Sequence, residues 1–177
     1  LFVGGGFYQS YTWDGDPALT CGGCIVWNLA RRYWSAPMLG YRNPVSSLIA
    51  ADDSLYICSN EYVMRWTAGT YRKFGLAVYP VWFWTSVRYK NALIAAGQFV
   101  SPWNWTLQVK NVMQLQADTW TALGAGLSMS DETKSRVWAL DVIDTVLYAG
   151  GNFDRSGQGN YIKMVAAWNG VTWTKLG

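Results

Sequence analysis

An all-β fold is predicted for this chain by two recurring phrases and by the lack of any long helical period between them. The first phrase is LFVGGGF at residues 1–7, which returns as LIAAGQF at 93–99 and LYAGGNF at 147–153, while LYICSNE at 55–61 keeps only its apolar start. The second follows each copy downstream: an apolar run ending in an aromatic, a tight turn, another aromatic, then Gly. Each run is about five residues rich in Val, Ile, Trp, Tyr and Leu and bounded by Gly, Asn, Asp or Ser, which is how strands joined by turns read. No sustained 3.6-residue period interrupts them, so helix is expected to be nearly absent.

Each repeat resolves into four strands. Strand A starts at Ser46 (SSLIAADDS), Trp84 (WTSVRYKNA) and Trp138 (WALDVIDTV), and is missing from the first copy. Strand B is the LYAGGNF phrase, with Gly4, Gly5, Gly150 and Gly151 near its end, where a missing side chain lets backbone approach closely. Strands C and D form the second phrase: IVWNLARRYWSAPMLG, VMRWTAGTYRKFG, MQLQADTWTALG and VAAWNGVTWTKLG. Trp27, Trp66, Leu115 and Trp168 align on C, and Trp34, Tyr71, Trp120 and Trp173 on D. Asn169 and Gly170 suit a C–D turn needing positive φ. Asp52, Asp53 and Asp144 fall in the A–B turns, where Asp serves the turn itself.

Four antiparallel strands in roughly 35 to 53 residues is the unit of a β-propeller blade. The predicted architecture is a β-propeller or propeller segment of four-stranded antiparallel blades, spanning 1–40 (strands B–D only), 41–75, 76–124 and 125–177. Repetition follows because a blade cannot bury both faces alone and meets the same packing problem at every neighbour. The edge of strand B in the first blade is expected to pair with backbone from outside this numbering, either earlier residues of the same polypeptide or a neighbouring subunit, since an open edge invites aggregation.

These phrases resemble the Kelch-like propellers related to the galactose-oxidase central domain. They are closer to the LYVGG.F … W.G..W..LG repeats of secreted microbial proteins and fungal cortical polarity markers. The resemblance covers essentially the whole chain, is most faithful in the last copy and weakest in the second, and implies a fold rather than a catalytic residue.

Composition narrows the function. With 51% hydrophobic and 16% aromatic residues the chain can bury a sizeable core, and no run approaches the apolar length of a membrane helix. The net charge of +3 is scattered singly without a basic stripe, which argues against nucleic acid as a partner. There is no His, so imidazole-based catalysis, the usual zinc sites and a galactose-oxidase-type copper site are not expected. We expect no catalytic residue, metal or cofactor. Carboxylate chemistry would have to draw on Asp14, Asp16, Asp52, Asp53, Asp141, Asp144 and Asp154. WDGD at 13–16 lacks the further oxygen ligands of a calcium loop and reads as an ordinary solvated loop.

CGGC at Cys21 and Cys24 has too few companions for zinc, and nothing thioredoxin-like surrounds it. A local disulfide is one reading and two reduced thiols the other, with Cys58 a buried free thiol on strand B. Asn104 begins an Asn-Trp-Thr acceptor for N-glycosylation. With the family resemblance it points to an extracellular or cell-surface setting.

Eight of the 12 Trp fit the repeat, leaving Trp13, Trp82, Trp103 and Trp105. With Tyr161 they are the candidate binding surface, for in a propeller the B–C loops and D–A links emerge on one face. The expected function is a non-catalytic structural or adhesive module contacting protein subunits or further blades of the same polypeptide. The alternatives are a lectin binding glycans through loop aromatics and, third, a carboxylate-dependent glycan-active enzyme.

Overall fold

The computed structural model describes residues 1–10, 19–36, 43–75, 81–100 and 109–176. Within them the chain is all-β, built from antiparallel sheets, with one three-residue 3-10 turn at Glu132–Lys134. The first sheet holds β1 (Phe2–Gly4), β4 (Cys24–Asn28) and β5 (Tyr33–Ser35). The second holds β6 (Val45–Ala51), β7 (Ser54–Ser59), β8 (Tyr62–Thr67) and β9 (Thr70–Gly75). The third holds β10 (Trp82–Tyr89), β11 (Ala92–Val100), β12 (Lys110–Gln116) and β13 (Thr119–Ala122). The fourth holds β15 (Arg136–Ile143), β16 (Val146–Asn152), β18 (Val165–Trp168) and β19 (Trp173–Lys175). Every sheet is a meander in chain order, so the expected sequence of B, C, D followed three times by A, B, C, D is present. Two short ladders lie outside the repeat: β2 (Gln9–Ser10) with β3 (Leu19–Thr20), and β14 (Leu127–Ser128) with β17 (Arg155–Ser156).

The repeat extends to backbone irregularities. In each A strand one residue is left out of the ladder with B: Ser46, Trp84 and Trp138, at the same place in the three copies. Such a bulge bends the strand and brings its backbone toward the partner. Opposite it stand Gly97 and Gly151. A Cβ on Gly97 would collide with the Trp82 carbonyl and lie 2.8 Å from its carbon, and one on Gly151 would lie 2.8 Å from Val137 Cα. The recurring glycine of strand B is therefore the one facing the bulge, and its neighbour Gly150 has nothing within 4 Å of a Cβ. The second sheet carries Ser59 at that position, and its bulge Ser46 Oγ donates to the Cys58 carbonyl at 3.2 Å.

The turns repeat as well. Asp52, Lys90 and Asp144 occupy equivalent A–B positions with φ of 53°, 53° and 56°. In the last C–D turn only Gly170 takes positive φ, at 99°. Asn169 serves the turn differently, its Oδ1 accepting from the backbone N–H of Val171 at 2.9 Å and of Thr172 at 2.8 Å, because a short amide can replace backbone acceptors there.

The sheets pack side by side through their first strands, β1 against β6, β6 against β10 and β10 against β15. One apolar cluster fills each joint. Phe2, Cys24, Val45, Leu55, Ile57 and Met64 fill the first; Phe83, Leu93, Ala95, Met113 and Leu115 with Val63 and Phe74 the second; Ile94, Ala96, Val112, Leu147, Ala149, Trp168 and Trp173 the third. Strand β11 explains its own apolar run: Leu93 and Ala95 enter the second cluster while Ile94 and Ala96 enter the third, the period-2 alternation of a strand buried on both faces.

Joints are also fixed by polar contacts. Val45 N–H donates to Gly5 O at 3.1 Å, and Phe83 N–H to Asn60 O at 3.2 Å, so the starts of β6 and β10 are each held by the end of the preceding B strand. Trp173 Nε1–H donates to the Leu123 carbonyl at 3.0 Å across the third joint. Asn111, fully buried on β12 with φ 61°, accepts from Phe99 N–H at 2.9 Å and donates to Leu127 O at 2.9 Å and Ser135 Oγ at 2.7 Å. Its backbone position matches Gly23 (φ 80°) and Met164 (φ 63°) in the neighbouring repeats, so a left-handed residue opens strand C in three sheets.

The three cysteines are free and buried. Of the two readings of Cys21 and Cys24 the structure has the thiols free, and burial raises both, Cys24 to about 11 with the neighbouring Cys21 adding to the rise. Cys58 lies wholly inside the second joint, where its Sγ–H donates to Ser86 Oγ at 3.2 Å, and burial pushes the thiol up to about 12. At pH 8 an alkylating reagent is expected to leave Cys24 and Cys58 unmodified in the folded chain and to label all three once urea unfolds it, as peptide mass mapping would read. As pH climbs from 9.0 toward about 12 only the unfolded chain ionises Cys58, so the stability its burial contributes is whole below pH 9 and lost across that interval.

Candidate functional site

Of the residues singled out from sequence, Trp13, Trp103, Trp105 and the acceptor Asn104 lie outside the described residues, as do Asp14 and Asp16. Trp82 is half-buried on β10, in register with Gln98. Tyr161 is 68% exposed in the β16–β18 loop. That loop meets the link that enters the fourth sheet: β17 pairs with β14, Asp154 N–H donates to Ser128 O at 3.0 Å, and Arg155 Nη2 donates to Ser130 Oγ at 2.5 Å. The B–C loop and D–A link of this repeat thus share one face. The carboxylates do not converge. Asp52 accepts from Arg88, Asp154 from Arg155 and Asp141 from the Val142 N–H, and among the described residues no group of three His, Cys, Asp or Glu is placed to hold a metal.

Two other places carry more chemistry. The first is the outward face of the fourth sheet. Trp84 and Trp138, the bulge residues of β10 and β15, stack with centroids 4.4 Å apart and planes 10° from parallel. Trp138 nevertheless remains 54% exposed, with the Arg136 guanidinium over its ring at 5.7 Å from the centroid. Ile143 and Val165 extend the exposed apolar surface, opposite the core-facing Val142 and Ala166.

The second is a groove of about 320 Å³ at the turn end of the third joint, lined by Tyr89, Lys90, Asn91, Gln114, Gln116, Gly124, Trp168 and Gly170 among others. Gln114 and Gln116 share one face of β12 by strand alternation. The ring of Trp168 lies against Gly124, where a Cβ would come 2.8 Å from its Cη2. Tyr89 and Trp168 are almost wholly buried, 8% and 7% exposed. Among the described residues the amides of Asn91, Gln114 and Gln116 have no hydrogen-bond partner.

At the corresponding place in the second joint a groove of the same volume, about 320 Å³, is lined by Arg65, Thr67, Thr70 and Arg72, and its charges are paired. Arg65 donates from Nη1 and Nη2 to Asp118 at 2.6 and 3.2 Å, and Arg72 Nη1 donates to the same carboxylate at 2.6 Å. A fork of two guanidiniums on one carboxylate is the strong form of such contacts. Gapless alignment of the C–D phrases puts Gln114 at the position of Arg65, Thr121 at that of Arg72 and Val171 at that of Asp118. No ion pair can form from that set.

No helix among the described residues is long and apolar enough to cross a membrane. No protein-family model matches the chain, and a search of curated proteins finds no match.

Proposed function

We propose that the chain is a β-propeller module of the Kelch-like kind its repeats resemble, non-catalytic, acting in an extracellular or cell-surface assembly by contacting protein subunits or further blades. The observation that carries this reading is the Trp84–Trp138 stack, in which Trp138 stays 54% exposed with Arg136 over its ring. Inside the chain the joint between the third and fourth sheets uses those bulge residues as facing surfaces, and Trp138 with Ile143 and Val165 offers the same kind of surface outward. Large aromatics ringed by aliphatics are what protein contacts bury at their centres. The side-by-side packing through first strands and the recurrence of bulge, turn and strand order support the propeller arrangement.

Sedimentation over a range of concentrations, beside Trp138→Lys, tests the contact surface. Association that deepens with concentration and disappears in the variant is expected, because a buried lysine at that centre would be desolvated without a partner. A chain that stays monomeric throughout would remove the face from consideration.

A further inference from the structure

We infer that the groove at the turn end of the third joint is a saccharide-binding site, and that it takes a uronate more tightly than the corresponding neutral sugar. This goes beyond the structural reading above and does not depend on it, for it concerns another surface and another class of ligand.

Three observations point the same way. At the second joint the corresponding groove is lined by the guanidiniums of Arg65 and Arg72, both paired with Asp118, whereas Gln114, Thr121 and Val171 leave the groove of the third joint without an ion pair. The open space is lined by three primary amides without partners among the described residues, each offering two donors and an acceptor. Beside them Thr121 Oγ1, cross-strand partner of Gln114, is buried with no hydrogen bond. A buried hydroxyl left unmatched costs stability unless something bonds it, so it marks a place where a ligand or water is accommodated.

Amides and hydroxyls in this density match a ligand dense in hydroxyl groups, since each sugar hydroxyl both donates and accepts. The charge adds the preference. Lys90 lines the groove, its Nζ 5.2 Å from the Tyr89 ring centroid, and no carboxylate stands among the lining residues. Because Trp168 and Tyr89 are only 7% and 8% exposed, recognition rests on hydrogen bonds instead of ring stacking, and affinity for one sugar unit is expected to be weak.

The test is an array of neutral and uronate-containing oligosaccharides, followed by NMR titration of the best binder on the 177-residue chain. Shift changes are expected at 89–92, 114–124 and 168–170, with uronates preferred. Gln114→Ala with Gln116→Ala should weaken binding at least tenfold, and Lys90→Ala should erase the uronate preference. Should the amide variant fail to fold, Gln114→Arg with Val171→Asp, which puts the ion pair of the second joint in place of the amide, is expected to abolish binding with the fold intact. The inference is overturned if no saccharide on the array binds. It is equally overturned if shifts map to the loop face and binding is lost in Trp103→Ala with Trp105→Ala instead.

Discussion

Alanine at Gly97 or Gly151 is expected to destabilise the chain by about 3 kcal/mol, lowering the melting temperature by about 6 to 12 °C, while alanine at Gly150 changes it little or raises it slightly. The contrast comes from the bulge. At Gly97 the obstacle to a Cβ is the backbone of Trp82 and Phe83, and at Gly151 that of Arg136 and Val137. Backbone held in a ladder cannot swing aside like a side-chain end, so the A strand must move off the B strand and loosen the first strand that packs the joint. Gly150 projects into open space, and there alanine mainly reduces the freedom of the unfolded chain. Calorimetric melting of the three single variants decides it: equal effects at Gly150 and Gly151 would mean the bulge does not set the glycine requirement.

The second large effect is expected at Asn111. Alanine there strips partners from the Leu127 carbonyl, the Ser135 hydroxyl and the Phe99 N–H at once, and each buried group left unmatched costs about 1 to 3 kcal/mol. A left-handed backbone adds about 1 kcal/mol for any residue with a Cβ that cannot bond locally. We expect Asn111→Ala to cost about 4 kcal/mol and Asn111→Gly about 1 kcal/mol less, the difference measuring the backbone term. Urea unfolding of both variants is the measurement. A loss below 1 kcal/mol for Asn111→Ala would show that this amide does not pin the link from 125 to 135 onto the third sheet.

Most of the architecture was legible in sequence because strand signals are local. Apolar alternation, aromatic pairs across a tight turn and Asp or Gly at the turns lie within a dozen residues of one another, so four copies of strand order and the A–B turns at Asp52 and Asp144 could be read from the phrases alone. Even the bulge had a trace, for the three residues chosen as the start of strand A, Ser46, Trp84 and Trp138, are the ones left out of the ladder. What the phrases could not reveal is how distant strands meet. Neighbouring glycines 150 and 151 look alike in sequence, and only the register with β15 makes one crowded and the other free. Asn111 carried a faint signal, a small amide aligned with Gly23, but its partners come from the neighbouring strand at Phe99 and from the link at Leu127 and Ser135.

The same division holds for the candidate sites. The aromatic excess drew attention to Trp13, Trp82, Trp103, Trp105 and Tyr161, whereas the unpaired amides of Asn91, Gln114 and Gln116 look like ordinary polar strand and turn residues. Their meaning depends on what the next sheet brings opposite them: Asp118 pairs with two arginines at one joint, and Val171 brings no charge to the other. Trp138 likewise reads as a core aromatic and becomes a surface only because the fold leaves it 54% exposed beside Trp84 and Arg136. Local propensity fixes which residues form strands, but packing between sheets, decided by residues dozens of positions apart, fixes which of them are left with chemistry to offer.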